Sequence, residues 1–515
     1  MTAKDIQDGN RPSFWLPLFV IVLGAFAAIL NNSSINVAIP KLMAIFGVTP
    51  DEIQWVVTAY MLTSAVIIPS TGYLGDRFGN KKIYIISLLI FSTASILCSL
   101  AWSNSSLIAF RILQGIGGGA VMPVSMAIVY RIVPKEKIGL ALGIWGMTAV
   151  MAPAIGPTVG GYIIEHFNWR LLFLINVPVG IMGIVLSALL LEETPVKTSI
   201  KFDLGGFITS TVGCFTLLLA LSEGPKEGWT SYYIVMLFTV SFFSLLLFVL
   251  TELWEKEPML DLRLLTNQTF LLSVLIGGLI NIGLFGGVFL MPIFTQNLLG
   301  LSAYETGLLL FPAALVSGLM MPISGIIFDR FGAKGIGIIG VTITAICTLE
   351  LQNLNTDMAL ATIVLIMVLR SFGMGLAMMP ITTAGMNAMP INLVGRASAL
   401  SNVSRQIFAS FGIAILTSIM QNRQVFHYMR LAEGISYVSP ITMFNIQQLQ
   451  GALAISGLTS DSLSSTVLAA IYSLVQKQAL VYAIDNTFTV AALFIFAAIP
   501  MIFLMGNKEA TKQKT

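Results

Sequence analysis

Apolar runs of about twenty residues recur along this chain and restrict it to few folds. The stretches IYIISLLIFSTASILCSLAW (83–102) and YYIVMLFTVSFFSLLLFVL (232–250) are long enough for a helix to cross the core of a bilayer. Only 10% of the 515 residues are charged, which is too few to cover a water-soluble globule of this size. Since backbone polar groups within lipid must be satisfied inside the structure, we predict an all-α membrane protein.

Apolar runs bounded by Gly, Pro and charged residues predict fourteen spans. The first run has no small-residue cleavage site after a short core, so we interpret it as a retained span rather than a signal peptide. An even number of spans places both termini on one side. The expected limits are 14–39, 54–74, 83–102, 106–129, 138–164, 170–191, 204–222, 232–253, 269–292, 303–326, 335–352, 359–380, 397–420 and 480–505.

Lysine and arginine are distributed unequally between the two sides of this arrangement. The terminal tails and every second connection hold most of the 27 basic residues. The opposite connections hold only Lys41, Lys226, Arg423, Arg430 and Lys477. By the positive-inside rule, we predict that both termini are cytoplasmic and that the protein lies in the cell (inner) membrane.

One stretch is written twice: PSTGYLGDRFGNK (69–81) and PISGIIFDRFGAK (322–334) share Pro, Gly, Asp-Arg-Phe-Gly and Lys at identical spacing. Each copy follows the second span of a six-span group, and two further spans separate the groups. This repeat predicts two six-helix bundles around an inserted helical pair, which is an architecture of transporters. The expected units are 1–195, 196–260 and 261–515, with an external loop at about 421–479 that contains amphipathic helical pieces.

The repeated loops are predicted to form an inner gate. A carboxylate at Asp76 or Asp329 can accept hydrogen bonds from the amino-terminal amides of a neighbouring helix, while the adjacent arginine pairs across the gap between bundles. The alternative is a loop whose basic residues only orient the chain in the membrane. The predicted gate residues are Gly72, Asp76, Arg77, Gly79, Asp329, Arg330 and Gly332.

Three stretches in order carry a resemblance to a known family. GYLGDRFGNKK, RILQGIGGG (111–119) and APAIGPTVGG (152–161) resemble signatures of the major facilitator superfamily. Within it, the chain is similar to the fourteen-span drug/proton antiporter branch of the QacA and EmrB type over essentially its whole length. The resemblance implies a secondary active exporter in which two bundles rock about a central cavity. It also implies proton influx as the energy source and amphipathic drugs, dyes or biocides as substrates.

Four arginines lie within or at the ends of predicted spans, where a permanent charge is costly and normally faces an interior or a cavity: Arg111, Arg170, Arg370 and Arg405. The resemblance associates Arg111 with proton transfer, and a nearby cation favours release of a proton from an acid. The alternative for Arg111 is a structural role in which it binds carbonyls. Arg405 is expected to bind substrate or to brace the second bundle.

The fifth span combines small residues and prolines. Ala152, Gly156 and Gly160 recur every four residues, so a partner helix can approach closely on that face. Pro153 and Pro157 remove amide donors and favour a bend. We expect a hinge or an ion-tight seal between the bundles, with ordinary small-residue packing as the alternative.

The first span departs from the branch pattern. It reads LNNSSINVA (30–38), with Asn31 where the resemblance would place an acid. The polar patch is expected to line a watery cavity, or else to bond another helix. The pattern therefore identifies neither the residue that carries the proton nor the charge of the substrate. The predicted cavity residues are Asn31, Asn32, Ser33, Ser34, Gln114 and Arg405.

The sequence lacks the motifs of several kinds of enzyme and metal site. No phosphate-binding loop occurs, which argues against ATP hydrolysis, and the two histidines, His166 and His427, do not suggest a metal site or a hydrolytic triad. We expect no cofactor, metal or nucleic acid; the expected partners are a small amphipathic substrate, protons and the bilayer, with a periplasmic adaptor left open. The alternatives are an exporter of an endogenous lipid, peptide or metabolite, a proton-coupled or facilitative importer, and a membrane-embedded enzyme acting on lipid head groups.

Overall fold

The computed structural model describes residues 14–194, 196, 202–255, 257–434, 443–444, 447–448 and 460–505. Fourteen helices long and apolar enough to cross a membrane run through these residues, and none of them forms a strand, so the predicted all-α fold with fourteen spans is confirmed. In chain order the helices are α1 (Trp15–Phe46), α2 (Pro50–Phe78), α3 (Asn80–Ser99), α4 (Asn104–Ile132), α5 (Lys135–His166), α6 (Leu171–Leu190), α7 (Leu204–Glu227), α8 (Tyr232–Trp254), α9 (Gln268–Leu298), α10 (Tyr304–Phe331), α11 (Lys334–Asn353), α12 (Leu360–Asn387), α13 (Val394–Glu433) and α14 (Ser460–Leu504).

Local sequence accounts for where several helices begin and end. Thr49 and Glu52 form a reciprocal capping box that opens α2, and Ser302 and Glu305 do the same for α10. In the repeated loop, α2 ends at Gly79 with φ of 89° and α10 ends at Gly332 with φ of 78°. This left-handed backbone favours glycine, which explains why both copies keep it.

The last two helices extend beyond the predicted spans. Over 421–433 and 460–479, where helical pieces of an external loop were expected, the described residues are helical and continue α13 and α14 without a break. The two helices run side by side there: the Gln424 and Gln476 amides lie 3.4 Å apart, and the Tyr428 and Tyr472 rings are 5.7 Å apart. These ends carry polar residues that pair with each other, so a search for apolar runs alone ends the two helices too early.

Hydrophobic packing distinguishes the two faces of the bundle. We call the face where α2 ends and α3 begins the basic face, because most Lys and Arg of the connections lie there; it is the predicted cytoplasmic face. Towards it, one buried cluster joins both halves and includes Phe91, Trp145, Met378 and Ala397. Towards the opposite face, α1–α6 and α9–α14 hold separate clusters. The halves are therefore packed together at the basic face.

Candidate functional site

The first repeated loop contacts the second half through an ion pair. Asp76 lies in the last turn of α2, and its Oδ2 accepts a hydrogen bond from Arg396 Nε at 3.3 Å. Arg396 lies in the first turn of α13, and both side chains are buried. A Cβ at Gly72 would lie 3.1 Å from Arg396 Cα, so the glycine permits the close approach of α2 and α13. We call this pair the first latch.

The second repeated loop makes the corresponding contact with the first half. Asp329 lies in the last turn of α10, and its carboxylate accepts from the N–H groups of Gly139 at 3.0 Å and Leu140 at 3.2 Å. These amides belong to the first turns of α5, where the unpaired N–H groups and the helix dipole favour an anion. We call this contact the second latch. In both latches, the acid at the end of a second span binds the start of the other half's fifth span.

The two arginines next to these acids do not act as the sequence predicts. Neither Arg77 nor Arg330 forms a salt bridge to a carboxylate within the described part of the chain, and Arg77 Nη1 is buried without a hydrogen-bond partner. The cation that pairs with Asp76 is Arg396, 320 positions away. Sequence reasoning counted Arg396 only among the basic residues of a connection. The signal that could have identified Arg396 as a gate residue is its position in the first turn of a fifth span.

The inserted helical pair reaches the first latch. The Tyr73 ring of α2 packs edge-on against Phe202 at 5.2 Å, just before α7 begins. Near the end of α8, Glu252 is 1% exposed and accepts from the Leu260 N–H at 3.3 Å. Its carboxylate also interacts electrostatically with Arg396. A third acid that the sequence did not single out therefore lies near the latch arginine, beyond salt-bridge distance.

Arg111 is fully buried and joins three helices of the first half. Its Nε donates to the Val56 carbonyl at 2.9 Å, Nη1 to Gln114 Oε1 at 2.8 Å, and Nη2 to Asn32 Oδ1 at 3.1 Å. The guanidinium also lies over the Tyr60 ring, 4.3 Å from its centroid. All three acceptors are neutral. In this conformation the contacts of Arg111 are therefore those of a structural residue, which was the alternative to a role in proton transfer.

The other predicted cavity residues of the first half divide into two groups. Asn31 is buried and its Oδ1 accepts from Asn176 of α6 at 3.0 Å; Gln114 is buried and donates to Ser95 of α3 at 2.7 Å. Ser34 bonds the carbonyl of its own helix. These three fill contacts between helices rather than line an open cavity, because short polar groups within a bundle are satisfied by neighbouring helices. Asn32 and Ser33 remain partly exposed.

The fifth-span signature packs directly on the first-span patch. Pro157 has no N–H and leaves the Pro153 carbonyl without its usual helical donor, and Ser33 Oγ donates to that carbonyl at 2.7 Å. A Cβ at Gly156 would lie 2.5 Å from Ser33 Oγ, and one at Gly160 would lie 2.7 Å from the Ser34 carbonyl oxygen. The two signatures thus form one interface between α1 and α5.

The second half holds two embedded arginines. Arg370 of α12 is buried; its Nε donates to Thr348 Oγ1 at 2.9 Å and its Nη2 to the Gly283 carbonyl at 2.7 Å. Arg111 and Arg370 each lie in the fourth span of their half, a correspondence that the repeat could have revealed. Arg405 of α13 lies apart from Arg111 and lines a separate pocket.

Comparisons with known proteins agree with this architecture. The model of the Major Facilitator Superfamily matches residues 21–413. The Uncharacterized MFS-type transporter YhcA of Bacillus subtilis is 37% identical over 515 residues, which is 100% of this chain and 96% of that protein. The Multidrug transporter protein MdtP of Bacillus subtilis is 33% identical over 421 residues, covering 82% of this chain and 78% of the relative.

Solved structures share the fold. The crystal structure of the human organic anion transporter MFSD10 superimposes with a TM-score of 0.59 at 13% identity, covering 94% of this chain and 100% of that one. At this identity the likeness concerns the fold alone. With its fourteen helices, its repeated loops and these relatives, the chain belongs to the major facilitator superfamily, as a multi-pass transporter of the cell membrane in the fourteen-span branch of that family.

Proposed function

We propose that this transporter is a secondary active exporter that moves amphipathic drugs or biocides out of the cell in exchange for protons. The observation that carries the proposal is the pair of two-fold related latches, which hold the halves together at the basic face while the hydrophobic clusters near the opposite face are separate. A relative named as a multidrug transporter, 33% identical, supports the class of substrate.

The latches suit a reversible gate. The Asp329 carboxylate is exposed, so water can replace the two amides that bind it when the halves separate. The first latch is buried, and its opening requires that Asp76 and Arg396 both find water or new partners. In the proposed cycle, both latches break when the cavity opens to the cytoplasm and re-form when it opens outward.

Glu252 is the acid that we propose to link the proton to this gate. The charged groups that act on it are Asp203 and Asp261, which repel its negative charge, and Arg396, which attracts it. An ionised Glu252 attracts Arg396 from beyond salt-bridge distance, and protonation of Glu252 removes that attraction. Proton binding and release at Glu252 thereby shift the balance between closed and open latches, while Arg111 holds α1, α2 and α4 in register.

The test is transport by the purified full-length protein in liposomes that contain a fluorescent amphiphile, with and without an imposed pH gradient. We expect dye to move opposite to the protons, and we expect an uncoupler to abolish the gradient-driven component. A Glu252→Gln variant, which keeps size but not titration, is expected to retain dye exchange at equal pH and to lose the gradient-driven component. Dye movement in the same direction as the protons, or insensitivity to the gradient, contradicts the proposal.

A further inference from the structure

Arg405 lines a pocket inside the second half, between α9, α12 and α13. The lining residues surround about 320 Å³ of space free of protein atoms, part of which is open to solvent. Polar side chains on its wall include Ser273, Asn281, Thr382 and Ser401, and no carboxylate is among the lining residues. The guanidinium is therefore the charge that determines which ligand the pocket favours.

Arg405 differs from the other embedded arginines in its contacts. Arg111 donates to three acceptors and Arg370 to a hydroxyl and to backbone carbonyls, whereas no hydrogen bond or salt bridge joins Arg405 to another residue of the described chain. Arg405 follows the start of α13 by about 17 Å along the helix axis, which is near mid-membrane. A guanidinium with five donors at that depth needs an acceptor.

The rest of the wall is apolar and leaves room beside the cation. Phe270, Val274 and Met386 line the pocket together with Gly277. A Cβ built at Gly277 would have no neighbouring atom within 4 Å, so open space lies directly against the α9 backbone. A flexible methionine and an aromatic ring can accept hydrocarbon of varied shape. The pocket thus offers one fixed cation next to an adaptable apolar surface.

We propose that this pocket binds the anionic head group, a carboxylate or a phosphate, of an amphipathic substrate. Arg405 donates two parallel hydrogen bonds to the anion, as guanidinium groups do with planar oxyanions, and the apolar wall receives the first carbons of the tail. This inference rests on the proposed export function and adds to it the charge of the substrate. The absence of the first-span acid, with Asn31 in its place, agrees with a cavity that does not require cations.

The experiment measures binding of two fluorescent probes to the full-length protein in nanodiscs of neutral phosphatidylcholine. The probes are a dansyl-labelled C12 carboxylate and its matched C12 trimethylammonium. We expect Arg405→Gln to weaken carboxylate binding at least about tenfold, the effect of losing one charge-assisted interaction, and to leave the ammonium unchanged or bound more tightly. Arg405→Lys should recover part of the affinity for the carboxylate. Equal losses for both probes, or no loss for the carboxylate, overturn the assignment.

Two further measurements separate the sources of the anion and guard against a folding defect. Dodecyl phosphate should displace the carboxylate probe at far lower concentration than inorganic phosphate; equal displacement contradicts an amphipathic ligand.

Gly277→Leu, which fills the pocket without changing charge, should weaken carboxylate binding, and unchanged binding locates the anion elsewhere. Binding needs no gradient. If the Arg405→Gln variant still performs gradient-driven export and still binds the carboxylate as the wild type does, only this inference is rejected. Carboxylate binding without gradient-driven export rejects only the proposed function.

Discussion

Arg111→Ala is expected to abolish transport while the protein still reaches the membrane. The substitution removes the charged donor shared by the Val56 carbonyl, Asn32 Oδ1 and Gln114 Oε1, and it leaves a gap where the buried guanidinium lay. A hydrogen bond to a charged group contributes about 1.5–3 kcal/mol, so the loss of three is strongly destabilising. The alignment of α1, α2 and α4 on which the cavity depends is then lost. Dye export from cells and the amount of protein at the membrane are the two measurements.

The conservative variant separates charge from geometry. Arg111→Lys keeps the positive charge, but one ammonium group cannot supply the planar fork that reaches three acceptors on three different helices. We therefore expect Arg111→Lys to remain strongly impaired and to lower the melting temperature less than Arg111→Ala does. Full export by either variant rejects a role for Arg111 in transport.

Breaking the first latch is expected to have the second large effect. Asp76 and Arg396 are each 8% exposed in their side chains, and removing one partner of a buried pair leaves an uncompensated charge that costs about 3–5 kcal/mol. Both single variants should lose most of their export activity and several degrees of melting temperature.

The double variant is the matched control for this prediction. Asp76→Asn with Arg396→Gln removes both charges, so its melting temperature should lie closer to the wild type than that of Arg396→Gln. Its export should stay low, because the basic face no longer closes firmly. Additive losses in the double variant would show that the two side chains do not act as a pair.

The sequence predicted the fold because its strongest signals are local. Apolar runs set the helices, and the repeated Asp-Arg-Phe-Gly loops revealed both the two halves and the acids of the latches. Hydropathy gave no sign that α13 runs to Glu433 and α14 starts at Ser460, since outside lipid a polar helix and a loop have similar composition. The units at 1–195, 196–260 and 261–515 remain predictions as independent domains.

Partners at long range were beyond the sequence. Asp76 was identified and was expected to accept from the amides of a neighbouring helix, but it pairs with the Arg396 side chain, because no local pattern relates residues on two different halves. The polar first-span patch was identified as a group, yet Asn31 accepts a hydrogen bond from Asn176 while Asn32 accepts one from Arg111. Successive residues on a helix point in different directions, so a patch in sequence divides between several neighbours.

The central claim is that the halves separate at the basic face in every transport cycle, and a disulfide across that face tests it most directly. A Cβ at Gly395 would lie 4.0 Å from Ala127 Cβ, within the range for a disulfide. The variant carries Ala127→Cys and Gly395→Cys with Cys98, Cys214 and Cys347 replaced, and the two single-cysteine proteins are its controls. Oxidation should stop export by the double variant alone, and a reductant should restore it. Full export by the oxidised, cross-linked protein would contradict the account.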